Sequence, residues 1–123
     1  MATAQAKKQI RRTRRKKHIR KIVHGSAERP RLVVYRSLRQ VYVQLVDDVT
    51  GKTLTGISSL SPDLRDSIGK LKPIEAGIAL GEACARKALA MNINRVVFDR
   101  NGFPYHGRVK AVAEGARKGG LQF

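Results

Sequence analysis

RLVVYRSLRQVYVQLVDD, residues 31–48, decides the fold. Its two halves, RLVVYRS (31–37) and QVYVQLVDD (40–48), are rich in β-branched and aromatic residues and alternate in character across a short break. That composition and period of two predict an antiparallel hairpin. In the first strand, alternation sends Leu32, Val34 and Arg36 to one face and Arg31, Val33, Tyr35 and Ser37 to the other. In the second, Val41, Val43 and Leu45 form an apolar face opposite Tyr42, Gln44 and Val46. One side of the hairpin therefore belongs to a core. The other is semi-polar, with Tyr35, Tyr42 and Gln44 beside Arg39 at the turn; it reads as ordinary sheet surface or as a platform on which RNA bases stack.

Outward from the hairpin, DDVTGKTLTGI turns at Gly51 into a third strand over Lys52–Ile57. Residues 58–73 show no clean period and are expected to be a surface loop. Pro73 suits a helix start, and residues 74–91 place Ile74, Ile78, Gly81, Ala85 and Ala88 on one face, small enough to lie close to a sheet. RVVF (95–98) is a short buried-type strand. Val109, Val112, Ala113 and Ala116 then recur at helical spacing before Gly119-Gly120 stops the helix. The expected fold class is α/β, ordered β-β-β-α-β-α, with a mixed four-stranded sheet whose fourth strand runs parallel to its neighbour.

Residues 30–123 form this globular domain, and residues 1–29 a basic arm. The chain has 123 residues, a net charge of +17 and a pI near 11.2. Residues 1–31 carry twelve Lys/Arg against Glu28 alone, and ten of the eighteen residues from 7 to 24 are Lys or Arg. Self-repulsion and scarce apolar area predict an arm disordered on its own. Ile19, Ile22 and Val23 are spaced for a helix that forms once phosphates neutralise the charge. A field of this sign selects polyanions, nucleic acid first. The single Cys84 excludes an internal disulfide and fits the cytosol. The N-terminus has no secretory h-region, and its Lys/Arg crowding differs from the Ser-rich pattern of a transit peptide. No apolar run reaches the ~20 residues that span a bilayer, so no membrane partner is expected.

Catalytic motifs are scarce. GKT (51–53) lacks the earlier glycine of a phosphate-binding loop, since Val46 stands at that position. Asp47 and Asp48 suit turn geometry better than metal binding. His18, His24 and His106 lie too far apart to share a metal, and Cys84 lies on a helical small-residue face that suits the core. Two-metal phosphodiester cleavage needs converging carboxylates, whereas strand 31–37 has none and Asp99 stands alone near the fourth strand. The stretch FDRNGFPYHGR (98–108) fits binding instead. Arg100, Arg108 and Lys110 offer phosphate charge, Tyr105 and His106 offer stacking faces, and Gly102 and Gly107 allow close backbone approach. Phe103 is expected to cover the core, and Asp99 to orient the loop through loop amides or an arginine.

Residues 31–54 together with VVFDRNGFPYHGRVKAVAEGARKGGLQF (96–123) closely resemble the bacterial L-eighteen family of large-subunit ribosomal proteins. The resemblance extends to the basic arm and the element order. It implies a ribonuclease H-like architecture without catalysis or cofactor. It also implies a structural constituent of the cytoplasmic ribosome that binds 5S rRNA and helps attach it to 23S rRNA in the central protuberance. The implied protein neighbours are other large-subunit proteins, including those that also bind 5S rRNA. By position it carries RNA contact to Arg11, Arg12, Arg14, Arg15, Lys16 and Lys17 in the arm. In the hairpin it points to Arg36, Ser37, Arg39, Tyr42 and Gln44, and in the later loop to Arg100, Tyr105, His106 and Arg108. Lys7, Lys8, Arg20, Lys21, Arg31 and Lys110 join them on charge. Leu38, Gln40 and Val43 depart from the family's usual hairpin residues. Two other classes stay open: a general architectural nucleic-acid binder and a metal-dependent nuclease.

Overall fold

The computed structural model describes residues 3–38, 40–62 and 64–123. The hairpin sets the frame: β1 (Arg31–Arg36) pairs antiparallel with β2 (Val41–Asp47), placing Leu32 opposite Leu45, Val34 opposite Val43 and Tyr35 opposite Tyr42. Leu32, Val34, Val43 and Leu45 are sealed from solvent, while Tyr35, Tyr42 and Gln44 are exposed, as the alternation requires. Asp47 closes the next turn by accepting from the Val49 amide at 2.9 Å and the Thr50 hydroxyl at 2.9 Å. β3 (Lys52–Ser58) follows, antiparallel to β2. After the crossover, β4 (Val97–Asp99) lies parallel to β1, giving the order β3-β2-β1-β4. The expected mixed sheet is present.

Between β3 and the crossover, the expected loop holds a short helix, α2 (Arg65–Ile68). Four residues are too few for a period to register, and the turn forms because Leu64 and Ile68 bury themselves in the core. α3 (Pro73–Ala90) has the expected span. Of its expected face, Gly81, Ala85 and Ala88 are buried and Ile78 partly so, while Ile74 is 48% exposed; Leu80, Ala83 and Cys84 widen the buried side. Burial pushes the Cys84 thiol up to about 12, so it stays protonated and acts as a small apolar group.

The small residues serve a different contact from the expected one with the sheet. α4 (Arg108–Lys118) crosses α3 so closely that a Cβ on Gly81 would strike the Val112 carbonyl, and one on Gly115 the Ile78 carbonyl. A close pair of helices then covers one face of the sheet, with Leu80 and Cys84 from α3 and Val109, Val112 and Ala116 from α4 in the core. The chain end completes this side. Val96 donates to the Gln122 carbonyl at 3.1 Å, and Phe123 stacks on Phe98 at 5.6 Å.

The arm differs from its expected disorder: Ala4–Ile22 form one continuous helix, α1. Residues 4–22 contain neither glycine nor proline and are mostly Ala, Gln, Lys and Arg, all good helix formers. The Thr3 hydroxyl caps the Ala6 amide at 3.1 Å. None of its residues is buried, so this helix rests on the domain rather than in its core.

Arg31, expected at the RNA surface, is instead 7% exposed and turned inward. Its Nε and Nη2 donate to Asp48 at 2.9 and 3.0 Å, and its Nη1 donates to Asp99 at 2.7 Å. Correcting the expectation, three of its five N–H donors are held by carboxylates and the side chain is turned away from the surface that phosphate would approach.

Gly115→Ala tests the helix crossing. Intrinsic propensity favours Ala by about 1 kcal/mol, yet the added methyl must push α3 away, at a cost of roughly 1–3 kcal/mol. Urea unfolding is expected to show net destabilisation; a stabilised variant would contradict the close crossing.

Candidate nucleic-acid interface

α1 rests on the loop after β4, beside the sheet face that α3 and α4 leave open, and reaches that face at Tyr35. Its contacts run along one stripe. Near its middle, the Arg12 guanidinium sits 5.5 Å from the Tyr35 ring centre and 4.6 Å from that of Phe103. Arg15 Nε donates to the Gly102 carbonyl at 2.8 Å. Toward the C-terminus, His18, Ile19, Ile22 and Val23 share a hollow with Phe98 and Arg100. Lys16 stands near enough to the Arg31–Asp99 pair to feel both charges. Burial lowers its pKa, with repulsion from Arg20 and Arg12 adding to the effect.

Gly102 makes the seat. It adopts φ +78°, and a Cβ there would stand 2.7 Å from the Arg12 carbonyl and 2.9 Å from Lys16 Cγ. The preceding Asn101, at φ 55°, donates its amide to Asp99 Oδ1 at 2.8 Å. Asp99 therefore accepts from a loop amide and from an arginine, the orienting geometry expected of it, and its arginine is Arg31. Arg100 Nη1 donates to the Phe103 carbonyl at 2.8 Å, bracing the same loop. Phe103 is 7% exposed, covering the core as expected, while its ring also faces the guanidiniums of Arg12 and Arg36.

The other predicted residues fall in five places. Lys7, Lys8, Arg11, Arg14, Lys17, Arg20 and Lys21 are exposed along α1, which contains no acid. Arg36, Ser37 and Arg108 meet at the turn end of the hairpin, where Arg108 Nη2 donates to the Ser37 carbonyl at 2.9 Å. Tyr42 is exposed beside Tyr35, ring centres 6.0 Å apart, with Gln44 farther along the strand. Tyr105 and His106 protrude from the far side of the loop, Tyr105 edge-on to Phe98 at 5.8 Å. Lys110 is exposed on α4 and lies 3.9 Å from Glu114. Arg39 lies outside the described residues. Sequence reasoning missed Gly102 as the seat of α1, although the glycine before an aromatic residue in a basic loop was its one visible signal.

Among the described residues, no group of His, Cys, Asp and Glu side chains converges to hold a metal. No described helix is long and apolar enough to cross a membrane. What the surface offers is a continuous band of cations interrupted by aromatic rings, the chemistry that holds a phosphate backbone and its bases.

Gly102→Ala is expected to lift α1 while the domain stays folded. The methyl meets the helix backbone, and the left-handed conformation adds about 1–2 kcal/mol of strain. Trypsin is expected to cut within residues 4–22 faster than in the parent protein. Equal rates would contradict the seat.

Comparison with known proteins gives this surface its family. Residues 6–123 match the family described as ribosomal L18 of archaea, bacteria, mitochondria and chloroplast. The large ribosomal subunit protein uL18 of Dictyoglomus turgidum is 50% identical over 123 residues, covering 100% of both chains. That of Chlorobaculum tepidum is 52% identical over 120 residues, 98% of this chain and 99% of its own. That of Chloroherpeton thalassium is 53% identical over 114 residues, 93% and 94% of the two chains. With half its residues shared over nearly its full length, the chain belongs to the L18 family of large-subunit ribosomal proteins, structural components of the ribosome rather than enzymes.

Proposed function

We propose that this protein binds 5S rRNA and helps attach it to 23S rRNA in the central protuberance of the large subunit, beside the other 5S-binding proteins. One observation carries the reading. α1, which has ten Lys/Arg and no acid, lies beside the sheet face that exposes Tyr35 and Tyr42 and meets it where Arg12 stands over Tyr35. Phosphate-binding charge and base-stacking rings thus share one surface. Phosphates supply most of the affinity, while exposed rings prefer the unstacked bases of structured RNA to a regular duplex. The sheet order β3-β2-β1-β4, with β4 parallel beside β1, also supports kinship with ribonuclease H-like folds. Asp99, the one carboxylate at the end of β4, is engaged by Arg31 and the Asn101 amide, which leaves it unsuited to metal-dependent cleavage.

The test is competition among 5S rRNA, transfer RNA and duplex DNA at one salt concentration. Preference for 5S rRNA supports the reading, and equal affinity for all three favours a general architectural binder. Removing residues 1–22 is expected to leave the domain folded, because α1 contributes no buried residue. Each lost phosphate contact removes about 0.7–0.9 from the slope of log affinity against log salt. Losing five flattens it by roughly 4. An unchanged slope would show α1 to be a bystander.

A further inference from the structure

Between α1 and the turn end of the hairpin lies a crevice of about 490 Å³, large enough for a nucleotide. Five cations line it: Lys8, Arg12 and Arg15 from α1, Arg36 from β1 and Arg108 from α4. Among the described residues no carboxylate lines it, and no ion pair joins α1 to the domain. Arg12 and Arg36 approach the same Phe103 ring, at 4.6 and 5.1 Å from its centre. The ring's quadrupole attracts each guanidinium but neutralises neither. Arg12 Nε is sealed from solvent and donates to nothing. A buried charged donor with no acceptor is an expensive arrangement, and native structures normally satisfy it.

Resting on the RNA-binding reading above, we propose that this crevice takes one RNA phosphodiester, which accepts from the terminal guanidinium nitrogens of Arg12 and Arg36 and bridges the two walls. The bound phosphate then acts as the mortar between α1 and the sheet. Without an anion, α1 is held by the Arg15–Gly102 hydrogen bond and the contacts of Arg12 and Ile19, against mutual repulsion of five cations. With it, the repulsion becomes attraction from both walls. Docking of the arm and binding of this one phosphate are therefore coupled, and each favours the other by the same factor. A phosphodiester suits the site better than a carboxylate side chain, because five cations line the crevice and the neighbouring phosphates of one strand can reach those that the first leaves unpaired.

The test is hydrogen exchange of the α1 amides in the full chain, with and without a saturating single-stranded RNA dodecamer at fixed ionic strength. The parent protein is expected to gain roughly tenfold protection over residues 4–22 when the oligonucleotide is at ten times its dissociation constant. Arg12→Gln and Arg36→Gln, each saturated with the same RNA, are expected to lose most of that protection. Lys87→Gln, on α3 away from the crevice, is expected to retain it. Full protection in both crevice variants would overturn the proposal, as would RNA that binds the parent chain without protecting α1. Affinity for 5S rRNA and transfer RNA measured on the same samples separates the two readings. Retained 5S preference without crevice-dependent protection defeats only the phosphate clamp. Crevice-dependent protection without 5S preference defeats only the choice of RNA.

Discussion

The guanidinium of Arg31 grips Asp48 through Nε and Nη2 and Asp99 through Nη1, so one side chain ties the start of β1 to the segment after β2 and to the end of β4. Asp48 also accepts the Gly25 amide at 2.8 Å, and Gly25 accepts the Asp48 amide at 3.1 Å, which fixes where the chain enters the domain from α1. Asp99 in turn accepts the Asn101 amide and sets the loop on which α1 rests. The arm, the hairpin and the loop therefore take their relative positions from a single buried cluster. Such a cluster gains little over an apolar equivalent, but losing one member strands a buried charge at about 3–5 kcal/mol. Its contribution is geometry.

The cluster also explains how a chain this basic presents its charge. Asp48 and Asp99 are spent on Arg31 inside the domain, and Asp47 is spent on the turn between β2 and β3. Of the three, Asp99 alone acts on α1, through its attraction for Lys16, and none forms an ion pair with it among the described residues. The cations on the open side are thus left without internal counter-charges among the described residues. The same side carries the rings of Tyr35 and Tyr42. That combination favours a flexible, structured polyanion over a small neutral substrate.

Alternation in residues 31–48 was legible because a half-buried antiparallel strand imposes a period of two, and every apolar position it assigned to the core is buried. The parallel fourth strand followed from the helical crossover. Four features were less legible. α2 is too short to show a period. The arm's helicity was masked by its charge, since composition reports repulsion but not the surface against which a helix rests. Arg31 was read as a phosphate ligand because a strand-end arginine in a basic chain carries no sign of its distant partners, seventeen and sixty-eight residues away. The same long range hid the seat at Gly102, where the contact is with Arg12 and Lys16.

The ion-pair cluster is most directly tested by the pH dependence of unfolding. Hydrogen bonding to Arg31 holds the Asp48 carboxyl at about 2, below its ordinary 3.8. A carboxyl depressed in the folded state stabilises fully above its unfolded pKa and loses that contribution as pH falls through the folded value. The window is therefore about pH 5 down to 2, and the contribution is on the order of 2 kcal/mol. Urea unfolding of the parent protein and of Asp48→Asn across this range is the deciding measurement. The account predicts a less stable variant at pH 7 whose deficit shrinks as pH falls through this window. Parallel curves, with the same deficit at every pH, would contradict it.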